Sequence, residues 1–176
     1  MKKLALLTIF AALMMISSAA FAQTANGTLT VTATVTGSIQ LVFNSDASGV
    51  ALASGAGTNT ATLAFGNVSA FGAVAAGVVR STTATTFTVS SAVDVLVAKT
   101  NSASANYTLK AQLGAADAVN TWSVGGVAVT NAAQSTLTAT GTYAANSNFP
   151  VAITVPFTTA SGTAISNTIN YTATAN

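Results

Sequence analysis

Thr28-Leu29-Thr30-Val31-Thr32-Ala33-Thr34-Val35-Thr36 is the stretch that decides the fold class. Leu29, Val31, Ala33 and Val35 fall on every second position and threonines fill the rest. That is the period-two pattern of a strand with one apolar and one wet face. Threonine suits the wet face, because its branched Cβ fits a pleated sheet while its hydroxyl stays hydrated without charge. The spacing predicts a half-buried strand over 28–36.

The same alternation recurs downstream. After Gly37-Ser38 the run Ile39 to Phe43 reads as a short strand, followed by a loop rich in Ser, Gly, Ala and Asn from Asn44 to Thr60 and a further strand over Thr62 to Phe65. Phe71 to Thr83, rich in Gly and Ala, is assigned to loop. Phe87 and Val89 begin another strand. Val93, Val95 and Val97 share one face of the next, with Tyr107, Leu109, Ala111 and Leu113 on its expected hairpin partner across the polar connection Thr100 to Asn106. Trp122 and Val124 lead through Gly125-Gly126 to Val127 and Val129, the spacing of a two-residue hairpin turn needing positive φ. Thr136 to Thr140 follows, then a loop to Pro150. Val151, Ile153, Val155 and Phe157 alternate strictly, and Pro156 argues for an edge or an interrupted ladder there. After Ser161-Gly162, Ile165 to Ala173 closes the series with Ile169, Tyr171 and Ala173 on one side. Short strands separated by turn signals, with no helix pattern and no fixed repeat, predict an all-β antiparallel β-sandwich.

Upstream, Lys2-Lys3, the apolar run Leu4 to Ile16 and the ending Ala20-Phe21-Ala22 have the layout of a cleaved secretory signal peptide over 1–22. The run is too short for a membrane anchor. Export is therefore expected, with a single domain over 23–176 and no transmembrane segment after cleavage. Beyond residue 22 the chain holds Arg80, Lys99 and Lys110 against Asp46, Asp94 and Asp117, three minus three or zero net charge. No cluster of cations is available for nucleic acid or anionic lipid. An uncharged surface favours self-association. The chain is 51% hydrophobic, which separates it from disordered sequences, and it has no cysteine for disulfides.

Chemistry is scarce. His and Glu are absent, and three scattered Asp offer neither a general base for a serine nor an evident carboxylate pair, so no catalytic residue is assigned and a hydrolase is a remote reading. Zinc lacks its His and Cys ligands. Asn44-Ser45-Asp46 could offer oxygens to calcium, but a turn closed by side-chain to backbone hydrogen bonds is the favoured reading, and neither metal nor cofactor is assigned. Gly55-Ala56-Gly57 lacks the lysine and helix of a phosphate loop. Trp122, Tyr107, Tyr143 and Tyr171 could form a sugar-stacking platform, though alternation places Trp122 and Tyr107 in the core. Lys99 or Lys110 could form an amide crosslink to an Asn, which needs a buried carboxylic acid nearby. The 28–36 segment has two readings. It is the first strand of its own domain, or it completes a sheet in a neighbour by inserting Leu29, Val31, Ala33 and Val35 into an apolar groove.

Three stretches carry a family resemblance: Leu29 to Thr36, Leu63-Ala64-Phe65-Gly66-Asn67, and Asn167-Thr168-Ile169-Asn170-Tyr171-Thr172. In their order and spacing the chain resembles the spore-coat-U-like secreted proteins, relatives of the archaic chaperone-usher pilins. Where members commonly carry a Cys after the first strand this chain has Ile39, and where they carry a Tyr and an Asp near the final strand it has Ile165 and Asn167. The resemblance implies an immunoglobulin-like sandwich lacking a strand, a periplasmic chaperone and an outer-membrane usher as partners, and polymerisation through donor positions Leu29, Val31, Ala33 and Val35. The expected function is a structural subunit of a cell-surface fibre, pilus or coat, self-associating with identical or related subunits. The alternative is a secreted β-sandwich binding module for glycans or another surface ligand.

Overall fold

Every second residue from Phe87 to Val97 is buried, six inward positions in unbroken alternation. This run is two strands, β3 (Thr86–Ser91) and β4 (Val93–Thr100), separated only by Ala92. The computed structural model describes residues 27–176 and contains eleven strands and no helix among them. The remaining strands are β1 (Ser38–Ser45), β2 (Val79–Thr82), β5 (Tyr107–Leu113), β6 (Thr121–Val124), β7 (Val127–Val129), β8 (Ser135–Gly141), β9 (Asn146–Asn148), β10 (Val151–Pro156) and β11 (Ile169–Ala175). The expected signal peptide lies outside the described residues. All eleven strands belong to the unit Val35–Asn176; from the preceding unit, Gly27–Thr34 are exposed and outside any strand.

Every pairing among the strands is antiparallel, in three sheets ordered β1-β4-β9, β2-β3-β10-β6-β7 and β11-β5-β8. Just as β3 continues into β4, β9 continues into β10 across Phe149-Pro150, and the Phe149 amide donates to the Val93 carbonyl at 2.8 Å. The β11-β5-β8 sheet covers the other two. Ala111 and Leu113 of β5 join Val89, Trp122, Val124 and Ile153 in one core cluster, and Tyr107 and Leu109 of β5 join Val95 and Val97 in a second. The outcome is an all-β, sandwich-like arrangement in which the alternating positions marked on β3, β4, β5, β6 and β10 point inward, whereas Phe157, marked with them, is exposed and Val78, from a stretch read as loop, is buried.

The partners of some strands differ from expectation. β4 and β5 are not a hairpin: Asn101–Asn106 carries the chain from one layer to the facing one, and β5 pairs with β11 and β8. The predicted strand over Thr62–Phe65 reduces to one bridge between Ser54 and Thr62, and the closing strand begins at Ile169 and not at Ile165. β2 and β9 arise in stretches read as loop. Segment 28–36 is neither a strand nor half-buried. The Gly125-Gly126 hairpin forms between β6 and β7, with φ of 57° and 80°. Pro156 ends β10 beyond the last β6 pair, Thr154 with Thr121, so its missing N–H interrupts no central ladder.

Among the described residues Ser91 is the one buried polar residue, 1% exposed, and its hydroxyl accepts a hydrogen bond from the Val50 amide at 2.7 Å. A buried hydroxyl left unpaired costs free energy, so the bond both satisfies Ser91 and anchors the long connection after β1.

Candidate functional site

β1 and β11 are edge strands. Each has one neighbour, β4 and β5 respectively, so each leaves a flank without a strand partner. Ile39, Leu41 and Phe43 of β1 are half-buried and stand opposite Lys99, Val97 and Val95, while Ile169, Tyr171 and Ala173 of β11 stand opposite Leu113, Ala111 and Leu109. The two edges meet at one aromatic contact, Phe43 on Tyr171, edge to face with centroids 5.0 Å apart. Around that contact lies a cavity of about 590 Å³ lined by both strands, with core residues Val93 and Val151 also in its lining and Leu52, Leu63 and Phe65 contributed by the connection after β1. Burial pushes the Tyr171 phenol well above its ordinary pKa, so that ring stays neutral.

The two flanks are not equivalent. At Phe43 the β1 edge is already engaged, its N–H donating to the Thr58 carbonyl and its carbonyl accepting from the Gly57 N–H, both at 2.8 Å. β11 keeps its outer flank through seven residues. An apolar groove bordered by an unpaired ladder can take an extended segment, with main-chain bonds along one side and alternate side chains pointing inward.

The residues predicted as donors are all exposed. Leu29, Val31 and Val35 are 86%, 80% and 75% exposed, Ala33 is exposed too, and none of the four lies in a strand. Large apolar side chains that open to water on alternating positions constitute an unsatisfied half of a sheet face.

The aromatic candidates separate. Trp122 and Tyr107 are buried, as the core reading expected, in different core clusters; Tyr143 packs beside Tyr107, ring centroids 5.3 Å apart, and Tyr171 borders both clusters. Lys99 donates to the Ser104 carbonyl and lies 4.9 Å above the Tyr143 ring.

Asp46 closes the turn that its sequence suggested, its Oδ1 accepting from the Ser48 amide at 2.7 Å; the bonds from Ser48, with that from Asn148, hold its carboxyl below the ordinary value. Asn146 and Asn148 donate to Asp94 at 3.2 and 3.4 Å. Among the described residues no group of three or more His, Cys, Asp or Glu could hold a metal ion, and no helix is long and apolar enough to cross a membrane.

Sequence reasoning placed the groove residues Ile39, Phe43 and Ile169 on strands without marking them as a site, and weighed Tyr171 only as part of a sugar-stacking platform. An edge strand and a central one share the same alternation, so the vacancy beside β1 and β11 left no trace in local pattern.

No protein-family model matches the chain, and neither a curated protein nor a solved structure matches it.

Proposed function

We propose that the chain is an exported structural subunit of a cell-surface fibre, pilus or coat, assembled when residues 28–36 of one copy fill the groove between β1 and β11 of another. The groove between two sheet edges carries this reading: it offers an apolar floor and one free ladder, and the N-terminal segment offers exposed apolar residues at the matching period. In this reading the domain is an immunoglobulin-like sandwich one strand short, and Leu29, Val31, Ala33 and Val35 are the donor positions. The family resemblance adds a periplasmic chaperone to guard the groove and an outer-membrane usher for export. No side chain is assigned a catalytic role.

The flanks also set a direction. Since β1 is engaged at Phe43, the incoming segment pairs with β11, and antiparallel pairing is the more stable ladder. The segment then enters with Leu29 near Ala175 and leaves with Val35 near Ile169.

Val31→Asp tests the proposal. Placing an unpaired carboxylate in an apolar groove costs several kcal/mol, so the variant is expected to be exported and folded yet monomeric, whereas the unaltered chain forms oligomers that resist boiling. Normal polymerisation of Val31→Asp, seen by electrophoresis without boiling and by electron microscopy, would exclude strand exchange through this segment.

A further inference from the structure

The end of the molecule where β3 begins and β10 finishes carries an apolar surface that the groove does not use. Phe71, 74% exposed, sets its ring 6.0 Å from Phe157, 39% exposed, and Phe157 stacks on Phe87 at 6.3 Å. Edge strand β2 flanks it, Thr82 pairing with Phe87. Isolated exposed apolar residues are ordinary, but a run of aromatic rings in mutual contact at one end marks an interaction surface. The surface is held in place. Arg80 donates to the carbonyls of Ser69 and Gly72 at 3.0 and 2.6 Å, clamping the loop that presents Phe71 from both sides.

We propose that this patch docks the body of the next copy of the chain in the fibre, an inference that rests on the strand-exchange reading above. Three observations choose a second copy as the occupant. First, a segment paired antiparallel to β11 leaves the groove at Ile169, the end that packs in the same core cluster as Phe87 and Val155. Second, only Thr36 and Gly37 separate Val35 from Ser38 of β1, a reach of about 10 Å at 3.3–3.6 Å per residue, so the donating body is pressed against that end of the acceptor. Third, Phe65 lines the groove and also, with Val68 and Val74, the small cavity beneath the loop that carries Phe71, so groove and loop share a wall. The donating end, where Ser38 pairs with Thr100, lies at the opposite end of the β3–β4 run from Thr86. The contact is therefore head to tail, the geometry that extends a filament and does not close into a two-fold dimer.

The chain has no cysteine, so Phe71→Cys introduces a unique thiol at an exposed site. Its maleimide labelling rate is compared in assembled material and in the monomeric Val31→Asp background, with Thr136→Cys on the outer face of β8 as the reference. Labelling at position 71 is expected to slow at least tenfold on assembly while position 136 is unchanged. A Phe71→Cys chain that folds but does not assemble, where Thr136→Cys does, supports the same contact. Equal labelling of position 71 in both states, with assembly still abolished by Val31→Asp, overturns the docking patch and leaves strand exchange standing. Assembly that is indifferent to Val31→Asp, absent altogether, or limited to a closed dimer by light scattering overturns the patch, and the first two remove the strand-exchange reading as well.

Discussion

Tyr107 is sealed completely, 0% exposed, with its hydroxyl in no hydrogen bond. Its ring lies against Gly141, where an added Cβ would fall 2.3 Å from ring atoms, so the glycine makes room for the aromatic. A buried phenol without a partner forfeits the desolvation cost of its O–H, about 1–3 kcal/mol, whereas the ring alone keeps all of its packing. Tyr107→Phe is therefore expected to stabilise the protein by about 1 kcal/mol, seen as a rise in Tm of about 2–4 °C. A fall in Tm would show that the hydroxyl is hydrogen-bonded in solution. The first inward position of β5 was plain from alternation; the isolation of its oxygen was not, since it depends on facing strands far away in sequence.

At the scale of elements, Asp117 organises the entry to β6. Its carboxylate accepts from the amides of Val119 and Asn120 at 3.0 and 2.8 Å and from the Trp122 indole Nε1 at 2.8 Å, which orients the largest side chain of the core. Burial works to raise this carboxyl, but the hydrogen bonds outweigh it and hold the pKa at about 2. A carboxyl depressed in the folded state adds stability above its unfolded value, and that contribution fades as pH falls from the ordinary 3.8 through about 2. Asp117→Asn is expected to lose stability at neutral pH and to converge on the unaltered protein near pH 2 in urea titrations. A constant offset across that window would refute the assignment. The inward faces of β3, β4, β5 and β10 were legible because burial on one face writes a period of two into the sequence. Which strands pair was less so. A polar connection such as Asn101–Asn106 serves a hairpin and a crossing between layers equally well, and β9, Asn-Ser-Asn, carries no apolar signal at all.

For the whole molecule, the alternation at 28–36 was read correctly as amphipathic and incorrectly as half-buried. Period two records that a segment has an apolar face, not that the same copy covers it. The groove likewise exists only once β1 and β11 are both in place, from opposite ends of the domain. The expectations at molecular scale are thus collective: loss of assembly in Val31→Asp and shielding of Phe71 test whether exposed segment, vacant edge and end patch work as one device.

The way the few charges are used has an environmental consequence. Arg80 and Lys99 bind backbone carbonyls, and Asp46, Asp94 and Asp117 are solvated by amides and hydroxyls, so among the described residues these charges rest on neutral donors and acceptors in place of ion pairs. Dissolved electrolyte screens separated charges and has little purchase on such bonds. The midpoint of unfolding is expected to move by less than about 2 °C between 10 mM and 1 M sodium chloride, measured calorimetrically, where a charge-laced domain would shift by more. The folded domain would hold together in fresh water and in brine alike.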